Sequence, residues 1–211
     1  MTLKKHLIVK LAPVIVLILM LIAGYTQYTA RNQAVEHAYV TANGIAGKES
    51  TAIQTTLAEA LGRTEALAAM NRMTYEAGET SRERISAIVR ASLEAAPNLA
   101  GMASIWQDLD GKNATFINTE HGNKAGMMGG YWSRDRQGTL KYDQLQDFIK
   151  EPYFTDPVRT RASVLTEPYV DSTSGQDVLM VTIASPILVQ GRAVGVATSD
   201  LSLHSLSTLV E

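Results

Sequence analysis

The chain has no cysteine. Disulfides, thiolate metal sites and a cysteine nucleophile are therefore excluded, and the absence suits a protein exported to an oxidising compartment. A strong excess of one charge is also missing. Nineteen Lys and Arg stand against 21 Asp and Glu, for a formal charge of -2. Without a basic surplus to neutralise phosphates, no nucleic-acid partner is expected. His6, His37, His121 and His204 are scattered without ligand-like spacing, and no metal is expected. Catalytic signatures are missing as well: there is no His-Glu-x-x-His, no Gly-x-Ser-x-Gly, and no Ser with a plausible His and Asp. The stretch from Gly44 to Glu49 hints at a phosphate loop but lacks its spacing and the Ser or Thr after Lys48. Asp108 and Asp110 look like half a calcium loop without the distal Glu. A β-turn with solvated carboxylates is the simpler reading. No enzyme and no cofactor are expected.

One long apolar run is present, at the start. Lys4, Lys5, His6 and Lys10 precede an uninterrupted stretch from Leu11 to Gly24, which grades into Tyr25 and Tyr28. Its length is roughly the ~20 residues a helix needs to span a bilayer. The basic cluster stays cytoplasmic and the tyrosines suit the far interface. A cleaved signal peptide is the competing reading, but its apolar core is normally shorter, and Ile22-Ala23-Gly24-Tyr25 is a poor cleavage site. Either way the remainder is exported. The expected divisions are a cytoplasmic tail over 1–10, a transmembrane helix over 11–30, a long helix over 31–75 and a module over 76–211 that lies outside the membrane.

No proline interrupts residues 32–73, and Ile53, Leu57, Leu61, Thr64, Leu67 and Ala68 recur at helical steps. A second helix is expected from Thr80 or Ser81, with Glu83 in its first turn and Ile85, Ile88, Val89 and Leu93 on one face, stopping before Pro97. Short strands and turns follow. Strands are expected at Met102–Trp106, Ala114–Ile117, Val164–Val170, Val178–Ser185 and Ala193–Thr198. Turns are expected at 108–112, 172–175 and Gln190-Gly191, a loop from His121 to Gly130, and a last helix over Leu201–Val210. Two helices followed by an antiparallel meander indicate an α+β sensor-like domain.

Aromatic and acidic residues concentrate in the meander. Tyr131, Trp132, Arg134 and Asp135 lie together, Tyr153 and Phe154 follow Glu151-Pro152, and Asp200 ends the last strand. Tyr169 and Asp171 flank Val170 and so share one side of a strand. Rings with carboxylates suit an organic cation. Ordinary half-buried strand positions, with Asp200 capping the final helix, remain the alternative.

Three motifs in order carry a family likeness: Thr166-Glu167-Pro168-Tyr169-Val170-Asp171, Val181-Thr182-Ile183-Ala184-Ser185-Pro186-Ile187, and Gly195-Val196-Ala197-Thr198-Ser199-Asp200-Leu201. They resemble the double-Cache periplasmic sensors of methyl-accepting chemotaxis receptors. The resemblance implies a PAS-like antiparallel sheet packed on the long helix, and a homodimer through that helix. In amino-acid-binding members, a Tyr, an Arg and a Trp-Tyr pair hold the ligand carboxylate, while a Tyr and two Asp hold its ammonium. Tyr169, Asp171 and Asp200 match the ammonium half. Tyr153 and Phe154 replace the Trp-Tyr pair, and Glu151 stands where the Arg belongs, where it repels a carboxylate. The stretch from Tyr131 to Asp135 resembles amine-sensing members. Implied for this chain is a small amine or cation, with an amino acid as the alternative. Asp171 and Asp200 would take the ammonium, with Tyr131, Trp132, Tyr153 and Tyr169 as walls. Arg134 would swing inward to an anionic group or pair with Asp135. Members continue into a second module, a second membrane helix and signalling modules, so the chain reads as ending after the membrane-distal module. A sensor region of a histidine kinase or cyclase, or a binding-dead fragment, are the other readings.

Overall fold

Helix α1 runs over 50–76 and buries Ala60, Thr64, Leu67, Ala68 and Asn71, spaced by three or four residues along one face. A computed structural model describes residues 50–135, 137–172 and 177–207, and Ala52–Glu211 is one unit. The expected membrane span, the start of the long helix and the end of the final helix lie outside the described residues. Most of the turn at 172–175 does too. Among the described residues no helix is long and apolar enough to cross a membrane.

Helix α2, Arg82–Glu94, begins where Ser81 accepts a hydrogen bond from the Arg84 amide at 3.2 Å. That satisfies one of the orphan donors of the first turn, and Glu83 sits favourably beside it. Ile85, Val89 and Leu93 form its buried face.

The strands are β1 (Gly101–Trp106), β2 (Met128–Arg134), β3 (Leu140–Gln144), β4 (Val164–Leu165), β5 (Tyr169–Asp171), β6 (Val178–Val189) and β7 (Arg192–Ser202). They make one antiparallel sheet in the order β3-β2-β1-β7-β6-β4, with β5 also paired to β6. The β6–β7 hairpin turns at Gln190 (φ 49°) and Gly191 (φ 76°). Left-handed backbone at both positions matches the twist of the flanking strands. Alternation divides the sheet residues between two faces. Met102, Trp106, Ile183, Ile187, Ala197 and Leu201 pack under α1 and α2, where Tyr75 stacks on Trp106 at 5.6 Å. Two fully buried polar contacts pin α1 to this face: Ser199 with Thr64 at 2.8 Å, and Asn71 with Ser104 at 2.7 Å. The Thr64 hydroxyl is placed to donate either to Ser199 or to Ala60 O. The opposite face carries Ala103, Ile105, Tyr131, Ala184 and Val196, covered by Phe148 and Phe154.

Several expectations change: β2 begins at Met128, inside the loop expected from His121 to Gly130, β3 is unexpected, and Leu201 and Ser202 belong to β7 rather than to the last helix. The strand expected at Ala114–Ile117 is a 3-10 turn, Asn113–Phe116. There Asn113 donates to Gln107 O and Thr115 to Lys112 O, local bonds that compete with a ladder; β1 pairs instead with β2. The strand expected at Val164–Val170 is two short pieces, because Pro168 has no amide to donate between them. Residues 152–160 form an unexpected helix, α3 (Pro152–Thr160), with Pro152 in its first turn and Pro157 inside it. The last helix, α4, covers Leu203–Ser207.

Candidate functional site

Thr182 on β6 and Asp200 on β7 are directly paired across the hairpin, and Asp200 pairs on its other side with Gly101 of β1. Side chains at such paired positions point to the same face. The Thr182 hydroxyl donates to Asp200 Oδ1 at 2.6 Å, and the Tyr169 hydroxyl lies 2.7 Å from Thr182 Oγ1. With the Thr182 proton committed to the carboxylate, Tyr169 is the donor. Tyr131 bonds to Asp200 from β2. Tyr153, at the start of α3, stacks on Tyr169 with ring centroids 6.4 Å apart.

Tyr131, Tyr153, Tyr169, Asp171 and Asp200 thus surround one hollow, with Leu145, Thr182 and Thr198. These side chains converge and largely fill the space between them. The hollow is about 20 Å³, room for about one water. It abuts a groove of about 510 Å³, with which it shares Leu145, Tyr153, Tyr169 and Asp171. Asp143, Asp147 and Glu151 line the groove, and no Lys or Arg is among the described residues lining either space.

The electrostatics follow from burial without a cation. Asp200 is 4% exposed. Burial pushes its carboxyl up to about 7, against the opposing pull of hydrogen bonds from Thr182 and Tyr131, and Asp171 adds to the rise. Burial likewise raises the Tyr131 phenol, reinforced by Asp200 and Asp171. Tyr153 and Tyr169 rise through burial, then through neighbouring carboxylates. Asp143 on the groove wall rises through burial, with Lys141 opposing.

Three expected residues lie elsewhere. Trp132 alternates with Tyr131 and so faces the helices: its indole N–H donates to Ser86 at 3.0 Å, and Arg90 sits over its ring. Arg134 shares that face and donates to the Leu93 carbonyl; it neither swings inward nor pairs with Asp135. Asp135 caps a turn, accepting from the Gln137 and Thr139 amides at 3.0 and 2.9 Å, with Lys141 at 3.7 Å. Nor does Asp200 cap the last helix, where Ser202 accepts from the Ser205 amide. Thr182 and Thr198 went unnoticed in the sequence. Their signal is a hydroxyl in each of two largely apolar runs, Thr182 directly opposite Asp200 in the hairpin register and Thr198 two residues before it on the same strand. Asp110 is not solvated: it faces Arg82 at 3.5 Å with its side chain 7% exposed.

Gly101 has a steric role here. A Cβ at this position would collide with the Tyr131 hydroxyl and ring. Gly101→Ala is expected to push Tyr131 off Asp200 and cost about 1–3 kcal/mol, as overpacking does. Thermal denaturation reads the loss, and an unchanged midpoint would show that Tyr131 has room to shift.

Residues 85–208 match the family model described as the first PDC sensor domain of methyl-accepting chemotaxis protein-like receptors. The methyl-accepting chemotaxis protein TlpQ of Pseudomonas aeruginosa is 27% identical over 146 residues, 62% of this chain and 20% of its own length. The chain thus spans about a fifth of that relative. In fold it is similar to the extracellular domain of a protein described as a histidine kinase, mmHK1S-Z3 (TM-score 0.67, 24% identity, covering 79% of this chain and 60% of the other). It is also similar to a structure named Methyl-accepting Chemotaxis protein X (TM-score 0.64, 23% identity, covering 80% and 66%). With the matching model spanning more than half of its length, this chain belongs to the family of methyl-accepting chemotaxis protein-like first PDC sensor domains.

Proposed function

We propose that this chain is the extracytoplasmic ligand-sensing region of a bacterial chemoreceptor, held by a membrane helix over 11–30, and that it binds a small organic amine. In this reading the ammonium group enters first and meets Asp171 and Asp200, and the rest of the ligand lies in the acidic groove beside Asp143, Asp147 and Glu151. The single observation that carries the reading is a carboxylate pair walled by three tyrosines, with no cation among the described residues that line the space. A ligand cation supplies the missing countercharge, and Tyr153 and Tyr169 present ring faces to it. Ligand-binding domains of similar fold have been solved with GABA (PctC of Pseudomonas aeruginosa, TM-score 0.54) and with asparagine (Mlp24, TM-score 0.51). Both ligands bear amino or amide nitrogen. The size of the hollow means that binding displaces the stacked Tyr153 and Tyr169 rings. A homodimer through α1 completes the receptor in this reading.

The test is thermal stabilisation of the full chain in lipid nanodiscs by primary amines, amino acids, organic acids and purines. Amines are expected to raise the midpoint, and Asp171→Ala to abolish the rise. A response to organic acids instead, or an amine response undiminished in Asp171→Ala, overturns the assignment.

A further inference from the structure

A second hollow, of about 460 Å³, lies behind the sheet between α1 and the connection from α3 to β4. Alternation separates it from the tyrosine-lined site: Ser185 lines it, whereas its neighbour Ala184 belongs to the opposite face. Its α1 wall is Glu65, Ala68, Ala69 and Arg72, a single helical face whose middle positions end at Cβ and so leave the floor open. Its other wall is Arg161-Ala162-Ser163.

Arg161 is the unusual residue there. It ends α3 in left-handed backbone (φ 56°, ψ 29°), with its amide bonded to Pro157 O at 2.9 Å. Glycine is the usual occupant of such a position, because a Cβ is strained in it. Arg161 accepts that backbone with its long side chain on the wall of the hollow. Neither Arg161 nor Arg72 has a carboxylate within ion-pair distance among the described residues, whereas Arg90 and Arg159 each have one. The acid in the hollow is already engaged. Ser163 donates to Glu65 at 2.9 Å and, with its proton so used, accepts from the buried Ser185 at 2.9 Å. Glu65 also precedes Arg72 by two helical turns, roughly 10 Å along the axis.

We propose that this hollow is an anion site for a small molecule bearing a carboxylate or phosphate group, gripped by Arg72 and Arg161. A guanidinium can give two parallel N–H bonds to a pair of oxygens on either group. The bound molecule ties the long helix to the α3–β4 connection, and it shares no lining residue with the amine site.

The probes are succinate and inorganic phosphate, each compared with sodium chloride at equal ionic strength, on the full chain in nanodiscs of zwitterionic lipid. Calorimetry and thermal midpoint are the readouts. At least one probe is expected to bind and stabilise; its identity separates a carboxylate from a phosphate site. Affinity should fall about tenfold or more in Arg72→Ala and in Arg161→Gly, and stay unchanged in Asp200→Asn. Arg161→Gly should also raise the anion-free midpoint, since glycine accepts that backbone, so a lost response in this variant is not unfolding. No effect of either probe beyond chloride, or a response that survives both arginine substitutions, overturns the proposal. Neither outcome bears on the amine site, whose variant is Asp171→Ala.

Discussion

Asp200→Asn is expected to flatten the pH dependence of stability between about pH 4 and pH 7. The carboxyl has an ordinary value of 3.8 and is pushed up to about 7 in the folded chain by burial. Over that interval the folded protein keeps a proton that the unfolded chain has released. The contribution is therefore fully present below the unfolded value and lost as pH rises through 7. At about 1.4 kcal/mol per pH unit the loss amounts to roughly 4 kcal/mol, which for a unit of this size moves the thermal midpoint by about 8–16 °C. Other carboxylates move the midpoint too, so the measurement is the difference between parent and Asp200→Asn across pH 4–8. Asparagine keeps the shape and still accepts from Thr182, but it carries no proton to lose. Parallel profiles would show that Asp200 ionises normally, and would remove the electrostatic basis for an amine at this site. Tyr131 on β2, Tyr153 on α3, Tyr169 and Asp171 on β5 and Thr182 on β6 face the carboxyl, and none is a cation. An amine bound there should release a proton near pH 6, and binding should strengthen toward pH 8.

The second large effect belongs to Arg82, at the start of α2. Its side chain is fully buried. Nη1 donates to Gly126 O at 2.7 Å and His121 O at 2.9 Å; Nη2 donates to Asn113 Oδ1 at 2.9 Å and faces Asp110 at 3.5 Å. The guanidinium also lies 3.8 Å over the Phe116 ring. One side chain therefore gathers a long connection between β1 and β2 that has almost no secondary structure of its own. Burial lowers the Arg82 pKa and Asp110 opposes the change. Arg82→Ala strands the Asp110 carboxylate and two carbonyls in the interior and is expected to cost about 3–5 kcal/mol. A thermal midpoint within about 2 °C of the parent would show that the connection is held by something else.

The strands β1, β6 and β7 followed from short apolar runs bounded by turn residues, because both of their faces are covered, and the face of α1 followed from apolar spacing at helical steps. Tyr169 and Asp171 could be placed together because residues two apart on a strand share a side. Trp132 could not be separated from Tyr131 by pattern alone. Neighbours on a strand face opposite ways, and with both faces of β2 covered, either ring suits either face. Helix α3 was hidden by its shortness and by Pro157, although Pro152 in a first helical turn was a usable sign. Arg82 gave no warning, because a buried arginine and a surface one look alike until the carbonyls that surround it are known.

Asp200 and Ser199 are consecutive on β7, and they point to opposite sides of the sheet. The first is bonded to Thr182 and Tyr131, the second to Thr64 of the long helix. The peptide between them belongs to both connections. If an incoming charge rotates or shifts the backbone at residue 200, the serine hydroxyl moves with it, and the helix is reached through one covalent link with no intermediate element to absorb the motion.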